Sequence, residues 1–419
     1  MDSLPLIVVL TVLVFFVLVG IHEWGHFYFA RRAGILVREF AIGFGPKLFS
    51  LRKGETTYTF RLLPIGGFVQ MAGENDDAQD LSLGQKVWLR LVDDQVTQIY
   101  TVERNIANDV VSGELAYVDL NDALIIRIKT ATDEERRFAV ARDAMITRAK
   151  KTVQIAPRDR QFASKTVGQR ALSIFAGPFM NFILAFLLFM CVVLLLGQAK
   201  NVKLSHVEPG LPAATAGMKV NDIVLEIDGE TIGSDNIKLS DAIADSANRE
   251  MTWLVDREGQ NVTVQVTPKY VEGAPRVGVI IGADRRSATF GEAITGAWDY
   301  TVYVTKLIFE GFKRLILGQF AWEDVGGPVR TVSVTVEAAK AGFPQLVYWA
   351  AILSLYLGIF NLLPIPALDG SRLIFLAIEF VRGKPVEPRK ESMVHFIGFA
   401  MLMGLMLVVT YHDIARFFK

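Results

Sequence analysis

The stretch His22-Glu23-Trp24-Gly25-His26 lies inside an apolar run from Leu4 to Ala30. That setting constrains everything the chain can fold into. A run of this length is enough for a membrane-spanning helix. On a helix, the i,i+4 spacing stacks His22 and His26 on one face, with Glu23 beside them. Two imidazoles so placed bind a divalent metal, and a neighbouring carboxylate can move a proton. Ionisable groups within lipid are costly and read as functional by default. Two plainer readings stand beside this one. The histidines could simply end the helix at the lipid interface, or the run could be a signal peptide whose apolar core gives out at Gly20. Only Asp2 is charged between Met1 and Pro5, and no small-residue cleavage site precedes Arg31, which argues against a signal peptide.

At 419 residues the chain has room for more than one domain, and its 51% of hydrophobic residues gather in a few long blocks. This is the composition of a polytopic α-helical membrane protein with soluble insertions, here with about four transmembrane helices. The 44 acidic and 44 basic residues cancel, so nothing points to nucleic acid. The single Cys191 can form no internal disulfide.

The first segment, 1–34, carries the first span. Arg31, Arg32, Arg38, Lys47, Arg52, Lys53 and Arg61 follow it with no base before it, which puts the N-terminus outside and the following segment in the cytosol. His26 is five residues from Arg31, about 8 Å at the helical rise, so the site is expected nearer the cytosolic face. Segment 35–74 reads as a membrane-associated β-loop, from the alternation in Glu55 to Leu63 and its punctuating glycines. In Leu62–Met71 the adjacent Gly66 and Gly67 form either a plain turn or a loop dipping toward the site, offering an edge to an extended substrate.

Segment 75–164 is polar, with short alternating runs, and reads as a β-rich cytosolic insertion without a catalytic constellation. A second span occupies 165–198, with Gly177-Pro178 marking close packing or a kink and Asn181 a buried polar group in need of a partner. Segment 199–285 reads as a small α+β domain outside the membrane. Its order is a short helix with a Gly stop, a strand with an Asp-Gly turn, a helix near Ser240, and two strands around Glu258-Gly259. That order resembles a PDZ domain of the permuted kind in bacterial membrane and periplasmic proteases, with Asn221 departing from the usual Gly before Asp222.

Segment 286–342 is expected to hold amphipathic helices and a linker, with a turn at Gly326-Gly-Pro-Val-Arg330. Segment 343–382 is a third span broken by Pro364 and Pro366, with Asp369 just past the break. A cytosolic loop, 383–391, carries basic residues, and a fourth span falls in 392–419, so both termini are expected outside. His206, His395 and His412 read as surface or interface residues rather than ligands.

Together, His-Glu-x-x-His, the Gly-Gly β-loop, the PDZ-like insertion and Asn361-Leu-Leu-Pro-Ile-Pro-Ala-Leu-Asp-Gly370 resemble the site-2 protease family of intramembrane zinc metalloproteases, in its bacterial branch with a single PDZ domain. The resemblance implies a zinc metalloendopeptidase in the bacterial plasma membrane. It implies His22, His26 and Asp369 as zinc ligands, Glu23 as general base, and Asn361 with Gly66, Gly67 and Pro364 as substrate-binding positions. Single-span membrane proteins such as anti-sigma factors or signal-peptide remnants would be its substrates, an upstream site-1 protease a partner. Trp24 and Ser371 depart from the family pattern without touching a ligand. The competing class is a non-catalytic membrane scaffold with a PDZ peptide-binding module.

Overall fold

The computed structural model describes residues 4–74, 81–103, 110–130, 132–149, 151–271, 274–319 and 326–417. The acidic opening of the insertion, 75–80, lies outside the described residues. The chain forms two compact units, one of Met1–Phe186 with Val304–Lys419, the other of Leu187–Tyr303.

In the first unit, α1 (Leu4–Arg32) carries the apolar run and ends on Arg31 and Arg32. Gly34, at φ +75°, turns the chain out of the helix. β1 (Val37–Lys53) and β2 (Thr56–Met71) follow as one long antiparallel pair. Gly43 and Gly45 sit at φ +91° and +86°, where a side chain would be strained, and the register shifts there. The fold-back places Phe40 opposite both Tyr58 and Val69, and Ile42 opposite both Phe60 and Gly67. The first half of β1 is therefore paired on both sides. Phe44, Leu48, Phe49, Leu51, Leu62 and Leu63 are all exposed, an apolar surface that suits lipid better than water.

The insertion supplies β3 (Lys86–Val92), β4 (Gln95–Tyr100), β5 (Val110–Asp119), β6 (Ile125–Lys129), β7 (Glu135–Arg148) and β8 (Lys151–Gln154). They run in the order β4-β3-β5-β6-β7-β8, and a further parallel pairing of β4 with β7 closes the sheet on itself. Leu89, Ile99, Leu115, Ile126, Ile128 and Ile146 fill the interior. Glu55, at the turn between β1 and β2, ties this barrel down. It accepts from Gln154 Nε2 at 2.6 Å and from both Arg160 Nη atoms at 2.5 and 2.7 Å.

Next, α2 (Val167–Leu196) contains Pro178. In the second unit, α3 (Pro212–Thr215) and α4 (Asn236–Ala244) pack on a sheet whose strands run Gln260–Val266, Met251–Arg257, Ile223–Ile227, Val202–Val207 and Val279–Gly282. Asp228-Gly229 and Glu258-Gly259 form its tight hairpins, all at positive φ. Asn221 takes φ +75°, a conformation asparagine tolerates better than most side chains, and its N–H donates to Leu204 O at 2.7 Å. Trp253 is fully buried at the centre.

After α5 (Phe290–Ile316), α6 (Pro328–Ala341) begins where a turn is expected from Gly326-Gly-Pro-Val-Arg330. Proline is pre-set for the first helical position, and Asp413 Oδ2 accepts the Arg330 N–H at 3.0 Å. Then α7 (Phe343–Asn361), α8 (Asp369–Arg382) and α9 (Pro388–Phe417) complete the unit, α9 starting a turn earlier than the apolar pattern predicts. Among the described residues, Leu4–Arg32, Val167–Leu196, Phe343–Asn361 and Arg389–Ala415 are helices long and apolar enough to cross a membrane.

Candidate metal centre

Helical periodicity puts His22, Glu23 and His26 on neighbouring positions of α1, and each is only 7% exposed. They are buried because α2 crosses α1 at very short range. A Cβ on Gly25 would lie 2.4 Å from the Ala176 carbonyl oxygen, so only glycine permits the approach. Small residues serve this purpose between helices in lipid, where backbone proximity replaces the hydrophobic drive.

Asp369 arrives from the broken region between α7 and α8. It occupies the first turn of α8, where the helix dipole favours a carboxylate. Gly370 seals the break, since a Cβ there would stand 2.3 Å from the carbonyl oxygens of both Leu362 and Leu363. Ser371 Oγ donates to Leu368 O at 2.8 Å, so this departure from the family pattern stitches the start of α8. The Asp369 Oδ2 atom sits 3.3 Å from Nε2 of His22 and 3.3 Å from Nε2 of His26. The two Nε2 atoms are 3.2 Å apart.

The far sides of both rings are held. His26 Nδ1 stands 2.9 Å from the Ser173 carbonyl oxygen, which can only accept, so Nδ1 carries the proton and a neutral ring leaves Nε2 bare. His22 Nδ1 faces the amide nitrogen of Asn181 at 3.3 Å, and among the described residues Asn181 Oδ1 has no hydrogen-bond partner. With that oxygen turned to His22, it accepts Nδ1–H and leaves the second Nε2 bare. Asp369 Oδ2 is likewise buried without a hydrogen-bond partner among the described residues. With the Asn181 amide so turned, two imidazole nitrogens and one carboxylate oxygen, all within 4.8 Å of one another, converge with no proton among them to share. A buried acceptor cluster of this kind is costly unless a cation fills it, and an N₂O donor set is one that zinc accepts.

Glu23 points toward β2. A Cβ on Gly67 would meet Glu23 Cγ at 2.8 Å and Oε1 at 3.1 Å. Gly66, at φ +80°, lies against the Phe44 ring instead. Asn361 ends α7, and its amide donates to Leu357 O at 3.0 Å rather than to the cluster. Pro364 is exposed in the loop that precedes Asp369. Arg372, one turn beyond Asp369, pairs with Glu74 just after β2, which links α8 to the β-loop.

Several positions escape a reading of the chain alone. Ser173 acts through a backbone oxygen, which leaves no trace in residue type. Gly177 lies so close to His26 that a Cβ would be 2.2 Å from Nε2, and its glycine was the available signal. Asn181 shows its need of a partner from sequence, although not which one.

The profile of Peptidase family M50 matches residues 10–405. Zinc metalloprotease RasP of Geobacillus kaustophilus is 43% identical over 97% of this chain and 97% of its own length. Regulator of sigma-W protease RasP of Bacillus subtilis is 42% identical over 98% and 99%. Probable protease eep of Enterococcus faecalis is 40% identical over 97% and 98%. A match of this extent places the chain in Peptidase family M50, the site-2 proteases, as a membrane-bound zinc metalloprotease.

Proposed function

We propose that this protein hydrolyses peptide bonds within or beside the transmembrane segments of single-span proteins, with His22, His26 and Asp369 as the zinc ligands and Glu23 as general base. The observation that carries the proposal is the convergence of those three side chains, 3.2 to 3.3 Å apart, beside a buried glutamate on an apolar helix. Zinc held there supplies a Lewis acid that acidifies water and polarises a carbonyl. Glu23 takes the proton of the attacking water on its carboxylate and returns it to the leaving amine nitrogen. Gly67 leaves room for that carboxylate beside an extended backbone. A substrate helix hides its amides and must unwind first, so the edge of β2, the amide of Asn361 and the Pro364 loop serve to hold it extended.

Charge supports a topology with both termini outside and the plasma membrane as the site of action. Arg31 and Arg32 end α1, Arg382 ends α8, Lys384 lies between α8 and α9, and Arg389 and Lys390 fall in the first turn of α9. The 199–285 segment then lies outside as a PDZ domain, a reading supported by its strand and helix order, and the 75–164 barrel inside. The Bacillus subtilis relative's name, regulator of sigma-W protease, favours anti-sigma factors as substrates, trimmed first by an upstream protease. Signal-peptide remnants have the same single-span chemistry.

The test is cleavage of a single-span test protein by the purified enzyme in detergent, wild type beside Glu23→Gln, with zinc quantified in both. Cleavage by wild type alone, with both proteins holding about one zinc per chain, is the expected result. Equal cleavage by the variant would refute Glu23 as the base.

A further inference from the structure

The helix α9 contributes no ligand to the centre, yet it grips the loop that delivers one. Ala367, two residues before Asp369, is a non-glycine residue at φ +78°. Such a conformation persists only where the surroundings over-determine it. Two contacts from α9 do so. The Ala367 N–H donates to His395 Nδ1 at 3.1 Å. One turn on, Gly398 admits Pro366 so closely that a Cβ there would lie 2.1 Å from Pro366 Cβ and 2.9 Å from its carbonyl oxygen. Among the described residues, the loop's other hydrogen bonds are internal: Ile365 N–H donates to Leu363 O at 2.7 Å, Leu368 N–H to Ile365 O at 3.1 Å, and Ser371 N–H and Oγ to Leu368 O at 3.2 and 2.8 Å. The His395 ring is itself held edge-on against Phe375 of α8, with centroids 5.6 Å apart.

We propose that His395 is a positioning residue, whose Nδ1 fixes the Ala367 peptide and thereby holds the Asp369 carboxylate where zinc is bound. The proposal rests on the reading of Asp369 as a zinc ligand. The acceptor must stand at the Nδ1 position. An asparagine offers an amide oxygen there, while a glutamine carries its amide further out, toward the place of Nε2. Ligand orientation by an outer hydrogen bond governs how tightly a site keeps its metal.

The experiment follows zinc release to a chromophoric chelator from the full-length protein in detergent, together with thermal unfolding of the zinc-free forms. His395→Leu and His395→Gln are expected to release zinc about tenfold faster or more, while His395→Asn stays close to wild type. All three zinc-free proteins should unfold near the wild-type temperature. The proposal is overturned if the Leu and Gln variants keep zinc as long as wild type. It is equally overturned if the Asn variant releases zinc as fast as Gln, or if zinc loss tracks a matching fall in zinc-free stability. Asp369→Asn separates the two levels of the argument. Slow release from that variant sinks the ligand reading itself, whereas rapid release there with slow release from His395→Gln sinks only the role of His395.

Discussion

Gly177 of α2 leaves no free space against His26 of α1, since a Cβ at Gly177 would stand 2.2 Å from the ring's Nε2. The ring's position is therefore limited by a residue with no side chain. Gly177→Ala should displace the imidazole and weaken zinc binding about 10–100-fold, the usual effect of disturbing a ligand's surroundings. Zinc content after dialysis against a chelator measures this. Gly168→Ala, on the same helix with nothing within 4 Å, is the matched control and should retain its metal.

Gly67 stands to Glu23 as Gly177 does to His26. An alanine at 67 would press on Glu23 Cγ at 2.8 Å and on the Ala41 carbonyl oxygen at 2.7 Å. Gly67→Ala is expected to lower kcat roughly 100-fold, the scale of a misplacement near 1 Å, with zinc content unchanged. Loss of zinc together with activity would show instead that the β-loop supports the ligands.

Trp253 is completely buried in the second unit. Trp253→Ala should destabilise that unit by about 3–5 kcal/mol through lost burial and the cavity left behind. Hydrogen exchange of the full-length protein should show the increase in opening confined to residues 187–303, with zinc content unaltered.

Glu55 joins the β1–β2 turn to the barrel. The Arg160 hydrogen bonds hold its carboxyl at about 2, well below the ordinary 4.5, and prevail over the opposing effect of partial burial. A carboxylate depressed in the folded state contributes stability that is fully present above its unfolded pKa and is lost as pH falls through the folded one. Protection of the amides around Glu55 and Arg160 should thus decline between about pH 4.5 and pH 2. Glu55→Gln should flatten that dependence, as hydrogen exchange against pH would register.

Residue pattern alone goes far along this chain. The 3.6-residue period obliges His22 and His26 to share a face once the Leu4–Ala30 run is helical. Proline's missing N–H makes Pro364 and Pro366 a break in an otherwise apolar helix, and the tight turns at Asp228-Gly229 and Glu258-Gly259 follow from glycine's freedom at positive φ. These are local properties, governed by groups a few bonds apart. The turn expected at Gly326–Arg330 is the start of α6: Pro328 suits the first helical position by a local rule, whereas the acceptor of the Arg330 N–H, Asp413, is a distant group that no local rule foresees.

The centre itself is a matter of tertiary structure. That Asp369 reaches within 3.3 Å of both rings depends on how α8 packs against α1 and α2. What Ser173, Gly177 and His395 each touch, His26 for the first two and the Ala367 peptide for the third, is likewise set by segments far apart in the chain. A backbone carbonyl has the same identity in every residue, and a glycine carries no chemistry of its own. Their significance lies in what approaches them, and close packing of helices distant along the chain alone decides that.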